Sequence, residues 1–283
     1  MQARGEKAGS AETGLTSAHR VAGAAPDNRP ISGAVSIPAR FGPEILIVLG
    51  LSLGRSATYS IIMLARRLGS ETALGEQSAR LNESLAPSPL LDLLYQLLGI
   101  VFALVPVALA LYLLAEPGRS AVRRIGLTTT RPVRDLGIGV GLAALIGVPG
   151  LAFYALGRFL DLTVEVQPAG LPPVWWAIPI LILAALKNAL LEEVLAVGYL
   201  SERLRALGWS PARILTASAL LRGAYHLYQG IGPGIGNVVM GLVFAEYYRR
   251  RRRVLPLVIA HTLIDVVAFV GYALLPEALL ALL

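Results

Sequence analysis

Apolar runs of about 20 residues, the length needed to cross a hydrocarbon core of roughly 30 Å, recur along this chain and leave little of it for anything else. They lie at 44–65, 90–115, 135–157, 174–198, 211–229, 234–248 and 254–275, each bounded by charge, proline or glycine. A soluble domain has no use for so many. Of the 283 residues 55% are apolar and 15% are charged, against about a quarter charged in soluble domains. Lipid is the only solvent that suits such a chain. We therefore expect an all-α fold, a polytopic transmembrane helix bundle of about seven spans.

The formal net charge of +7 is almost all arginine, since Lys7 and Lys187 are the only lysines. Arginines gather between apolar runs, at 119–134, 203–213 and 249–253. Basic loops belong in the cytoplasm, so the charge reads as orientation and implies no nucleic-acid partner. The alternate loops, at 71–83, 161–165 and 228–233, are less basic, which puts the N-terminus inside; Arg66 and Arg67 are the exception. Residues 1–40 are polar, rich in Ala, Gly and Ser, and lack a signal-peptide core, so we expect a disordered cytoplasmic tail. Residues 41–118 follow as N-terminal transmembrane helices, and 119–283 as the functional core. The expected setting is a bacterial inner membrane. With no cysteine, disulfides, thiolate metal sites and cysteine nucleophiles are excluded.

A charged group inside a span costs at least a few kcal/mol and so marks function by default. Few qualify. The fourth run carries Lys187, Asn188, Glu192 and Glu193; the fifth carries Arg222 and His226; the seventh carries His261 and Asp265; Arg55 stands alone in the first. Asn188 and Glu192, Arg222 and His226, and His261 and Asp265 are each four residues apart, so each pair shares a helix face. If the three faces meet, carboxylates and two imidazoles converge in a site suited to acid–base catalysis. Structural readings stand beside this one: the glutamates neutralise Lys187 or interfacial arginines, and each histidine braces two helices. Two histidines and a carboxylate also suit zinc or iron, although the spacing is unlike HExxH.

At these residues the chain resembles the family of CAAX prenyl endopeptidases and bacteriocin-processing proteins, the CPBP or abortive-infection family, over roughly residues 120–275. The family carries EExxxR on one transmembrane helix, FxxxH on the next and HxxxN or HxxxD on a later one. Glu192 and Glu193 match the first motif, His226 the second, and His261 with Asp265 the third. The resemblance implies an intramembrane glutamic endopeptidase. Glu192 would be the base that activates water, Glu193 a supporting or alternate base, His226 an orienter, and His261 with Asp265 the oxyanion side. Asn188 is a supporting residue. No cofactor is implied, zinc being the minority alternative. The partners implied are membrane lipid and a hydrophobic peptide or membrane-protein substrate. Two positions depart from the motifs, with Val197 where the family has arginine and Arg222 where it has phenylalanine. Arg222 is one turn from His226, so we expect it to supply from the fifth span the positive charge missing from the fourth. A non-catalytic membrane scaffold is the alternative function, favoured by Val197, and a transporter the third, on the glycines around Pro233.

Overall fold

The structure, a computed structural model, describes residues 37–274. The tail expected over 1–40 thus lies almost wholly outside the described residues. The first expected span is two helices, α1 (Ile37–Gly50) and α2 (Leu53–Leu68), bent by 57°. At the bend the Ser52 hydroxyl donates to the Val48 carbonyl at 2.6 Å, between Gly50 and Gly54, the local chemistry that breaks a helix ladder. A short strand β1 (Ser78–Arg80) pairs in parallel with β2 (Glu165–Gln167). Between these strands run α3 (Pro89–Ala103), α4 (Val105–Leu114), the single turn α5 (Ala121–Arg124) and α6 (Pro132–Phe159). Beyond β2 come α7 (Ala177–Glu192), a π-helical stretch at Glu193–Tyr199, α8 (Leu200–Ala206), α9 (Pro211–His226), α10 (Ile231–Arg251) and α11 (Leu255–Leu274). Prolines 89, 132 and 211 sit in first turns, where their fixed φ favours the helix and no donor is lost.

Three stretches are long and apolar enough to cross a membrane, Pro89–Leu114, Pro132–Phe159 and Leu255–Leu274, and the bent pair α1–α2 makes a fourth. The all-α expectation therefore holds, while length and composition support fewer than seven spans. Helices α7 and α9 have only 16 residues each, and α7 to α10 carry the charges and glycines that lower their hydropathy. Outward-facing Phe102, Val148 and Phe159 are at least two-thirds exposed, as befits a surface solvated by lipid. The core holds the opposite elements. All of Val194–Val197 is buried, with Phe244, Tyr248 and Leu257 around it and with Val48, Leu53 and Val107 of the N-terminal helices in the same cluster.

The loops sort by charge. Glu202 pairs with Arg124, Arg205 and Arg252, and Arg253 pairs with Asp135, so the three arginine-rich loops meet at one end. At the other end the Val164 amide bonds the Gln229 carbonyl, the Glu165 amide bonds the Gln77 carbonyl, and Arg158 donates to the Gly75 carbonyl. The less basic loops are thus together as well. Arg66 and Arg67 close α2 at this second end, and Arg67 is held there by Gln77 and the Ser78 carbonyl.

Helices α9 and α10 approach along small residues. A Cβ at Gly241 would lie 2.8 Å from the Ala219 backbone and 3.3 Å from Arg222 Cδ, so only glycine fits, the close-packing device of membrane helices. Gly241→Ala is expected to push α9 and α10 apart and destabilise the protein by about 1–3 kcal/mol. A lowered thermal midpoint in detergent would register it, whereas an unchanged midpoint would mean that the seam has slack.

Candidate active site

Depth along the bundle decides which polar residues can meet. If the fourth span ended near Tyr199, Glu192 would lie far from the level of His226, some 15 residues into α9. Instead the helix continues through the π-helical stretch and α8 to Ala206. Counting from Ala206, Glu192 is 14 residues in, roughly 21 Å at 1.5 Å per residue. Arg222, 11 residues into α9 from Pro211, is at a comparable level, roughly 17 Å in. The start of α11 is recessed, because Val254 packs at Gly198, where a Cβ would come within 3.3 Å of it. His261 is thereby brought level with the glutamates.

The widened turn begins at Glu193. Adjacent residues of an α-helix point about 100° apart, yet here both carboxylates meet one guanidinium. Arg222, fully buried, donates through one terminal nitrogen to Glu193 Oε1 and through the other reaches Glu192 Oε2 at 3.4 Å. Its position is fixed further by Phe244, whose ring centroid is 5.4 Å from the guanidinium carbon. A buried arginine between two carboxylates accounts for its own desolvation. Arg222 therefore stands where the substituted motif arginine was expected to be replaced, while Val197 is buried among apolar neighbours.

His261 completes the cluster from α11. Its Nδ1 is 2.8 Å from Glu193 Oε1, and its Nε2 lies between Glu192 Oε2 at 3.9 Å and Asp265 Oδ1 at 3.6 Å. Asn188 donates to Asp265 Oδ2 at 3.2 Å, which ties α7 to α11. Six of the seven expected site residues thus form one connected set. His226 is the outlier. Its Nδ1 is 3.0 Å from the Arg222 carbonyl, so Nδ1 carries the proton and Nε2 is left to accept. Its links to the set are that backbone bond and its ring, which lies against Tyr225 with centroids 4.8 Å apart, and among the described residues it makes no hydrogen bond to the set's side chains.

Tyr225 is the residue that sequence reasoning missed. Its hydroxyl donates to Glu192 Oε2 at 2.8 Å, the shortest tie that Glu192 makes among the described residues. The available signal was its i+3 spacing from Arg222 on the same helix. Glu192 and Glu193 also differ in access: the Glu192 side chain is 12% exposed and that of Glu193 is not exposed at all. Only Glu192 can meet an incoming water directly.

Donor atoms of Glu192, Glu193 and His261 lie within 4.8 Å of one another, a spacing open to a metal ion. The fit is poor all the same. Arg222 already contacts one oxygen of each glutamate, and a divalent cation there would sit against a guanidinium. Of the carboxylate oxygens, Glu193 Oε2 alone is buried without a hydrogen-bond partner among the described residues.

The arrangement defines a helical membrane protein with an acid–base cluster buried where α7, α9 and α11 meet. Residues 174–267, which carry every member of that cluster, match the family model described as type II CAAX prenyl endopeptidase Rce1-like. The match covers about a third of the chain and supports assigning this segment to the CPBP family. No curated protein and no solved structure gives a significant match.

Proposed function

We propose that this protein is an intramembrane endopeptidase in which Glu192 activates water against a peptide bond. The observation that carries the reading is the contact of Glu192, Glu193, Arg222, Tyr225 and His261 in one buried cluster in which Glu192, unlike Glu193, is partly exposed. Glu192 takes a proton as the water oxygen bonds to the carbonyl carbon. The carbonyl oxygen becomes the oxyanion, and the protonated Glu192 returns its proton to the amine as the C–N bond breaks. His261 gives Nδ1–H to Glu193 and, as an imidazolium balanced by Asp265, offers Nε2–H to the oxyanion. Tyr225 holds Glu192 in place, and Arg222 bridges the two glutamates through its two terminal nitrogens. His226 orients the water through Nε2.

On this reading all seven apolar runs cross a bacterial inner membrane with the arginine-rich end in the cytoplasm. The substrate is a small hydrophobic peptide or a membrane-protein segment. Water and Glu192 suffice without a metal. In purified protein cleaving a reporter peptide, a strong chelator is expected to leave the rate unchanged, because only metal-activated water requires an ion to stay bound. Loss of cleavage on chelation with recovery on adding zinc would make Glu192 a ligand and overturn the mechanism.

One observation favours the second reading, a non-catalytic scaffold. Arg222 satisfies both glutamates at once, as a purely structural ion cluster would. Absence of cleavage across a broad panel of membrane peptides, with the fold intact, would support it.

A further inference from the structure

The arginine-rich end contains more positive charge than its carboxylates neutralise, and part of that excess is gathered into a cavity. The cavity, of about 210 Å³, opens between the start of α6 and the end of α10. Five arginines line it, at 131, 134, 250, 251 and 253, with Asp135 as the one acid, so the lining carries five positive charges less one, a formal +4. These arginines are not equivalent. Arg253 is bound on both sides by Asp135 and donates to the Thr128 carbonyl at 2.8 Å, which makes it a rigid wall. Arg250 is shared with Glu246. Arg131, Arg134 and Arg251 make no ion pair with any described residue, so their donors are available to an anion.

The surroundings indicate which anion. The size falls below the roughly 300–1,000 Å³ of drug-sized pockets and suits a phosphodiester. Ile138 lines the inner wall, and Val133, Leu136 and Val140 present an exposed apolar lane along α6 beside it, a helix long and apolar enough to cross the membrane. A guanidinium cradle at the level where such a helix leaves the bilayer matches a lipid with a charged head and two tails.

We propose that this cavity binds the phosphate of an anionic phospholipid, whose acyl chains lie along the outer face of α6. A basic side chain near an anionic membrane surface contributes about fivefold in affinity, so loss of all three available arginines weakens binding on the order of a hundredfold. The test uses the full-length protein in detergent, titrated with phosphatidylglycerol and followed by thermal midpoint and by native mass spectrometry of retained lipid. Wild type is expected to gain stability and retain the lipid, and the triple variant Arg131→Gln, Arg134→Gln, Arg251→Gln to do neither. Arg251→Gln alone, a milder change should the triple variant fail to fold, is expected to weaken binding about fivefold. A triple variant of equal charge at the same end but outside the cavity, Arg119→Gln, Arg123→Gln, Arg213→Gln, is expected to behave as wild type. Equal loss in that control would reduce the effect to diffuse surface charge and overturn the site. Inorganic phosphate producing the same stabilisation would overturn the lipid assignment, and no response to phosphatidylglycerol would overturn both.

Discussion

Glu192→Gln is expected to lower turnover of a cleavable reporter peptide by about two to four orders of magnitude, the usual contribution of a positioned general base. An amide cannot take the proton from water, but it fills the same space and still accepts from the Tyr225 hydroxyl. The fold should survive, with Arg222 retaining Glu193, so the thermal midpoint should move little. Glu193→Gln makes the opposite forecast. That side chain is wholly buried and binds both Arg222 and His261, and breaking a buried ion pair costs about 3–5 kcal/mol. Stability should therefore fall while some cleavage remains in the folded fraction. Midpoints and initial rates measured on both variants separate the roles. If the two exchange these behaviours, Glu193 is the base; if neither alters cleavage, the activity lies elsewhere.

Arg222→Phe, which restores the family's residue at that position, is expected to be the most damaging single change in the protein. Two buried carboxylates would lose their cation, again at about 3–5 kcal/mol or more, and the cluster would reorganise around His261. Adding Val197→Arg should recover much of the loss, because the guanidinium then comes from α7's own continuation, where the family carries it. Val197→Arg alone should be harmful, since Val197 is fully buried and a second guanidinium would face Arg222. The informative quantity is the coupling between the two substitutions, read from thermal midpoints and from cleavage. A double variant as poor as the sum of the single ones would show that the positions do not exchange a common charge.

Much of the candidate site was legible in the chain because it rests on helical period. Pairs at i and i+4, namely Asn188 with Glu192 and His261 with Asp265, place side chains on one face whatever the helices pack against. Which faces meet was not legible. Tyr225 lacked a charge to mark it, and its hydroxyl mattered only once α9 was placed so that its side chains reach Glu192 at the end of α7. His226 carried a motif and a charge-bearing ring, yet its Nδ1 bonds its own helix's carbonyl, a local choice that a helical wheel does not encode. The end of the fourth helix was likewise not legible: the apolar run stops at 198, whereas the helix continues to Ala206 because Glu202 and Arg203 find partners at the basic end.

Composition alone determined the solvent, since so many apolar residues have no stable arrangement in water, and arginine placement alone sorted the loops into two ends. The hydrogen-bonding demands of a backbone in lipid then required helices. Tertiary structure decided what lies beyond one helix's own period: the bend at Ser52, the close approach at Gly241, the widened turn after Glu192, and the meeting of the Arg222 guanidinium with both glutamates. Each depends on atoms distant in sequence, where desolvated charges are stable only if they find each other, and neither the spacing within a helix nor its hydropathy specifies that meeting.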